Sequence, residues 1–153
     1  MKIKIKTNEP LPYGYEIKSI ETKAMCGSDG PFTHIEANFK ILNGYHTIPF
    51  DIKGNGLLTR IAIIKLAKSL KNKDIAECIH EFIKFVNVQH TIMGAAYQSI
   101  IENTPMEVIE SINGLSRVYD VIPKKYKNMA DVCLKKKIEH HNKCRHHSNK
   151  TTV

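Results

Sequence analysis

Residues 35–52 alternate apolar and polar side chains with a period of two, the pattern of a half-buried strand. The alternation is broken at Asn43-Gly44, a strong signal for a two-residue hairpin turn. A hairpin folded about this turn keeps every apolar side chain on one face. It predicts the pairs Phe39 with Ile48, Ala37 with Phe50 and Ile35 with Ile52.

Two further strands are predicted before this hairpin. Ile3 and Ile5 alternate with lysines, and Tyr15–Met25 has the composition of a strand whose phase is disturbed around Ser19. In the hairpin itself, Pro49 has no backbone N–H to give to a neighbour. We therefore expect the strand that contains Pro49 to lie at an edge of the sheet, or to make its backbone hydrogen bonds only from its other residues.

From Leu57 onward the apolar period changes to 3.6, which predicts helices. One helix covers Leu57–Leu70, and Asp74 caps a second that ends near residues 87–91, where helix propensity is poor. The apolar positions that mark the first helix include Leu57, Ile61 and Ile64.

Three signals divide the last third of the chain. Thr104-Pro105-Met106-Glu107 is a capping box with proline at the first helical position, Asn113-Gly114 is expected to end that helix, and Pro123 precedes the last one. Strands followed by helices predict an α+β fold. We expect an antiparallel sheet of three to four strands in the N-terminal half, covered by three to four helices in the C-terminal half. The apolar stripe predicted along the last helix is Met129, Ala130, Cys133, Leu134 and Ile138.

Charge is concentrated at one end of the chain. The 153 residues have a formal net charge of +8, which excludes an acidic mimic of nucleic acid. Residues 124–153 hold nine basic and two acidic side chains, whereas residues 1–123 are nearly neutral. We therefore predict one α+β domain over 1–123, followed by a basic, histidine-rich helix and tail over 124–153.

The basic segment predicts a non-enzymatic protein that binds nucleic acid with little sequence preference. Lysine outnumbers arginine 20 to 3 in the chain, and lysine suits phosphate attraction better than base reading. Residues 135–137, three lysines in a row, spread around three sides of a helix. The predicted phosphate-binding residues are Lys124, Lys125, Lys127, Lys135, Lys136, Lys137, Lys143 and Arg145.

The same segment contains a possible zinc site. His140, Cys144 and His147 lie near one another on the surface of a helix, and His140 and Cys144 are four residues apart, a spacing that lets two side chains reach one ion. No paired Cys-x-x-Cys spacing accompanies them. The alternative is a solvated tail that binds metal only adventitiously.

An acid–base ribonuclease is a second alternative function. His34 and Glu36 are two residues apart on the predicted exposed face of a strand, and Lys40 continues the row. The weak catalytic candidates are therefore His34, Glu36 and Lys40. The first alternative is a protein-interaction or inhibitor module whose neutral body binds a host or cellular protein, for which an exposed strand edge near Pro49 or an uncovered apolar patch on the helices would be evidence.

The remaining composition suggests a compartment and a source. The N-terminal residues lack the apolar core of a signal peptide, and the four cysteines have no tight spacing, so we expect an intracellular, cytoplasmic protein without a membrane partner. Ile, Lys and Asn make up 52 residues, which hints at an AT-rich viral or phage genome.

Overall fold

The alternating N-terminal residues form one antiparallel sheet with strand order β1-β2-β3-β4. The computed structural model describes residues 1–7, 16–41, 44–92, 94–110 and 112–151, with side chains except at 112–115 and 144–151. The α+β fold is as predicted, with the sheet in the N-terminal half and the helices after it. The strands are β1 (Lys2–Lys4), β2 (Glu16–Gly27), β3 (Gly30–Ile41) and β4 (Gly44–Lys53).

The predicted register of the β3–β4 hairpin is wrong by two residues. Gly44, predicted to lie in the turn, is the first residue of β4 and pairs with Ile41. Residues 42–43, with the predicted turn residue Asn43, lie outside the described residues. The His46 ring bonds the carbonyl of Asn103, which ties β4 to the end of α3. Every side chain stays on its predicted face because the slip is even. The observed pairs are Phe39 with His46, Ala37 with Ile48 and Ile35 with Phe50.

Two other strand predictions are confirmed. The phase disturbance in β2 is a bulge between Ile17 and Ser19, which lets both Ile17 and Ile20 face the core. Pro49 lies in the edge strand β4, and the Ser99 hydroxyl donates to the Pro49 carbonyl at 2.6 Å. The β4 edge is therefore covered by a helix.

Six helices follow the sheet in the described residues, against three to four predicted. Asp74 accepts from the Glu77 N–H at 2.8 Å, in a capping box, and the helix that it starts ends within the predicted break. The helices are α1 (Leu57–Ser69), α2 (Ile75–Val88), α3 (Ala95–Glu102), α4 (Met106–Glu110), α5 (Ile112–Val121) and α6 (Lys124–Thr151).

The predicted stop at Asn113-Gly114 is wrong, because α5 runs through both residues. A glycine inside a helix costs about 1 kcal/mol, which the burial of Val118 on the same helix exceeds. The helix start after Pro105 is confirmed. The Thr104 hydroxyl, however, donates back to the Ile100 carbonyl at 2.6 Å.

The core lies between the inner face of the sheet and the helices. The ring of Phe82 in α2 packs on Phe39 and Phe50, with centroids 6.1 and 5.3 Å apart. In α1, the apolar residues that marked the helix in the sequence are exposed, and the helix contacts the core through a different face. That buried face consists of Ile63, Leu66 and Ala67.

Candidate nucleic-acid interface

The basic segment begins as a helix packed on the rest of the protein. Ala130 and Leu134 of α6 are buried in the core, and Cys133 and Ile138 are partly buried beside them. Of the predicted apolar stripe, Met129 alone is largely exposed. The stripe therefore docks α6 onto the body and leaves its opposite side facing solvent.

An aromatic contact fixes the first turn of α6. The ring of Tyr126 stacks on Tyr97 of α3, with centroids 4.9 Å apart. Gly94 precedes α3, and a β-carbon there would lie 2.5 Å from the Tyr126 ring. A side chain at this position would therefore push α6 away from α3.

Lys137 differs from the other lysines of α6 because it points at the body. Its ammonium group donates to the carbonyl of Glu102 at 2.6 Å and to the carbonyl of Thr104. Burial lowers the pKa of Lys137 to about 8, although the carboxylates of Glu102 and Glu107 oppose the shift. A cation at the C-terminal end of α3 is also favourable to the helix dipole.

The remaining lysines of α6 lie mostly on one side of the helix. Five are exposed, and at 100° per residue they fall within an arc of about 120°. Among the described residues no ion pair involves them. Residues 135–137 were predicted to spread around three sides of the helix. The exposed lysines do not, because Lys137 is turned inward. We call these five residues the lysine face: Lys124, Lys125, Lys135, Lys136 and Lys143.

The lysine face has a net positive charge. Asp131, near its border, bonds the Tyr119 hydroxyl, and Glu139 is the acidic residue that lies among the lysines. Two predicted phosphate ligands lie outside this set. Lys127 is only half exposed, and the side chain of Arg145 lies outside the described residues.

The predicted zinc ligands cannot be assembled from the described side chains. His140 is exposed, and the side chains of Cys144 and His147 lie outside the described residues. The neighbouring His141 faces Glu110 instead, with Nε2 2.7 Å from Oε1. In the part of the chain with described side chains, no group of three His, Cys, Asp or Glu residues could hold a metal ion.

The catalytic candidate His34 lies between two carboxylates on the outer face of the sheet. Its Nδ1 is 2.7 Å from Asp51 Oδ1 and its Nε2 is 3.2 Å from Glu36 Oε1. Asp51 was missed because the predicted register did not pair it with His34. Lys40 lies six residues along β3, about 20 Å away, so it does not join the pair.

Both ring nitrogens of His34 are used in this cluster. Burial would lower the pKa of His34, but the hydrogen bonds and charges of Asp51 and Glu36 outweigh it and raise the pKa. An imidazolium that donates to two carboxylates must break one of these bonds before a ring nitrogen can exchange a proton with a substrate. The arrangement is that of a surface ion-pair cluster.

An exposed apolar surface on α1 was not predicted from the sequence. Leu57 and Leu58 are 72% and 83% exposed, and Ile61 and Ile64 are 42% and 40% exposed. The signal was present, because α1 carries apolar residues around most of its circumference, more than one buried face can use. Such an uncovered surface is typical of interaction sites.

Comparison of the chain with protein-family models, with curated proteins and with solved structures finds no match. None of the helices in the described part of the chain combines the length and the apolar composition of a membrane span. Function is therefore inferred from the surfaces of the molecule itself, above all the lysine face.

Proposed function

We propose that this protein binds nucleic acid non-enzymatically and with little sequence preference, through contacts between the lysine face and phosphate groups. The observation that supports this most is that α6 turns Lys137 inward and leaves five exposed lysines on one side. From Lys124 to Lys143 the face extends about 28 Å, which is the length of about eight base pairs of a DNA duplex.

Phosphate contact fits this face better than base recognition. Lysine is a point charge without the fork geometry that reads guanine. Tyr126, the aromatic residue within the described side chains of α6, is stacked on Tyr97 and is not free to stack on a base. Affinity should therefore depend strongly on salt and little on sequence.

Two triple variants test the proposal. Lys125, Lys136 and Lys143 are replaced by glutamine in the first, and in the control three exposed lysines of the sheet, Lys23, Lys40 and Lys53, are replaced in the same way. Binding to a fluorescent duplex of about 20 base pairs is measured by anisotropy at about 0.1 M salt. Both triple variants lose the same net charge. A difference between their affinities therefore distinguishes binding by the lysine face from a general attraction of the protein's net charge to nucleic acid.

We expect the first triple to lose more than about tenfold in affinity, since each lost phosphate contact removes counterion release. The control triple should bind nearly as well as the wild type. Equal losses in the two triples would contradict a specific face, and so would a wild type that does not bind.

A truncation at residue 124 is a poor test of this function. It would remove Ala130 and Leu134 from the core and uncover Tyr97. Loss of binding would then not distinguish lost lysines from lost structure. The point variants keep the apolar side of α6 intact.

The other expectations have less support. A ribonuclease would need a free ring nitrogen on His34, where both are bonded. Zinc binding by His140, Cys144 and His147, the cytoplasmic location and the viral or phage origin stay predictions. Interaction with a host or cellular protein is favoured by a different surface, where β1 meets α1.

A further inference from the structure

A groove of about 340 Å³ runs between the N-terminal strand and α1. Residues 3–6 form one wall, and Ile64, Ala67, Lys68 and Lys71 form the other. Successive residues of a strand point to opposite faces of the sheet. A groove that is lined by four successive residues therefore runs along the edge of the strand, and not only along the face that packs on the helices.

This edge carries backbone groups that β2 does not use. Ile5 N–H donates to the Lys18 carbonyl, and the Met1 carbonyl accepts from the Thr22 N–H, each at 2.8 Å. The odd-numbered residues thus bond to β2, so Lys4 directs its N–H and carbonyl away from β2. Among the described strands none pairs with this side of β1.

The two faces at this edge differ in chemistry. Ile3 and Ile5 face the helices, where Ile64 and Ala67 add apolar surface. Lys4 and Lys6 are exposed, as is Lys2 on the same face as Lys4. A strand added here would meet apolar side chains with every second residue and lysines with the residues between.

The charge of the groove restricts which strand can pair with the edge of β1. Lys4, Lys6, Lys68 and Lys71 line the groove, and no acidic residue is among the described residues that line it. A second copy of this chain pairing through β1 would bring lysines together, which is how edge strands avoid self-association. An acidic partner would instead gain from the same lysines.

We infer that the free edge of β1 docks an extended segment of a partner protein in which acidic and apolar side chains alternate. The segment adds a fifth strand, its apolar residues fill the groove against Ile64 and Ala67, and its carboxylates meet Lys4 and Lys6. No residue of the lysine face takes part in this docking site, so the result of the peptide test does not depend on nucleic-acid binding.

A pair of peptides tests the pattern. The probe is a fluorescent, end-blocked peptide of alternating glutamate and valine, and the control has the same composition with its glutamates and valines in two blocks. We expect the alternating peptide to bind at least about tenfold more tightly, because only its strand form matches both faces. Equal affinity for the two peptides would overturn the inference.

Substitutions at Lys4 test the backbone contacts. Lys4→Gln removes the charge, whereas Lys4→Pro also removes the N–H at the free edge and leaves the bonds to β2 in place. We expect Lys4→Pro to bind the alternating peptide several-fold more weakly than Lys4→Gln, with the same thermal midpoint. If Lys4→Pro lowers the thermal midpoint, the double variant Lys6→Glu, Lys68→Glu is tested in its place. Binding of the alternating peptide to this double variant with wild-type affinity would contradict the site.

A membrane surface is the other class of partner that lysines and exposed apolar residues could attract. Vesicles containing phosphatidylserine are therefore tested beside the peptide. Binding to vesicles without preference for the alternating peptide would overturn the inference. Binding to the alternating peptide alone, reduced in the Lys4→Pro variant, supports it.

Discussion

Replacing Leu134 by alanine tests whether α6 is packed on the body in solution. Leu134 is 4% exposed and belongs to the core, whereas Val132, two residues earlier on the same helix, is 51% exposed. Val132→Ala is therefore a matched control, since it also shortens an apolar side chain of α6. A free basic tail would not distinguish the two positions.

The expected loss of stability follows from burial. Leu→Ala removes about three buried carbons, worth about 2.4 kcal/mol in transfer free energy, and the cavity left behind adds to this. We expect a total near 3 kcal/mol for Leu134→Ala. For a chain of this length that lowers the thermal midpoint by about 6–12 °C. Val132→Ala should change the stability by less than about 0.5 kcal/mol.

Urea unfolding followed by circular dichroism measures both variants against the wild type. We expect a lower urea midpoint for Leu134→Ala at an unchanged slope, and a wild-type midpoint for Val132→Ala. If both variants unfold at the wild-type urea concentration, α6 does not contribute to the core, and its lysines are not held on one exposed side.

Three further predictions concern individual contacts. Asp51→Asn should lower the pKa of His34 in an NMR titration. In the wild type the ion pairs of His34 stabilise the fold below about pH 6.5, and this stabilisation is lost as the pH rises through the raised pKa of His34. If His34 has the same pKa in Asp51→Asn as in the wild type, the pairing of His34 with Asp51 is refuted. Gly94→Ala should cost about 1–3 kcal/mol through its clash with Tyr126, and wild-type stability would show that the contact is not close. Lys137→Met should cost about 1 kcal/mol, because the part-buried Thr104 carbonyl loses its donor whereas water can reach the exposed Glu102 carbonyl. Nucleic-acid affinity should not change, and weaker binding at full stability would put this lysine in the interface.

Local pattern was enough to predict the α+β fold, the bulged second strand and the helix that Asp74 starts. Each depends on alternation or capping within a few residues. The β3–β4 register was not predictable, since a slip of two residues keeps the same faces. The contacts of α3 with β4, such as Ser99 with the Pro49 carbonyl, are long-range and leave no signal in the sequence.

The candidate sites depended even more on tertiary structure. The lysines of α6 were visible in the sequence, but their grouping on one side required knowing that Lys137 turns inward. Asp51 became a partner of His34 only with the observed register. The groove at β1 joins segments about 60 residues apart, so neither half alone indicated it.

The most direct test of the central claim is the salt dependence of nucleic-acid binding by the wild type. If the five lysines of the lysine face each neutralise one phosphate, log affinity should fall against log salt with a slope of about −4.5. The triple variant of Lys125, Lys136 and Lys143 should reduce this slope to about −1.8. A slope that is the same in the two proteins would contradict the claim that these lysines form the interface.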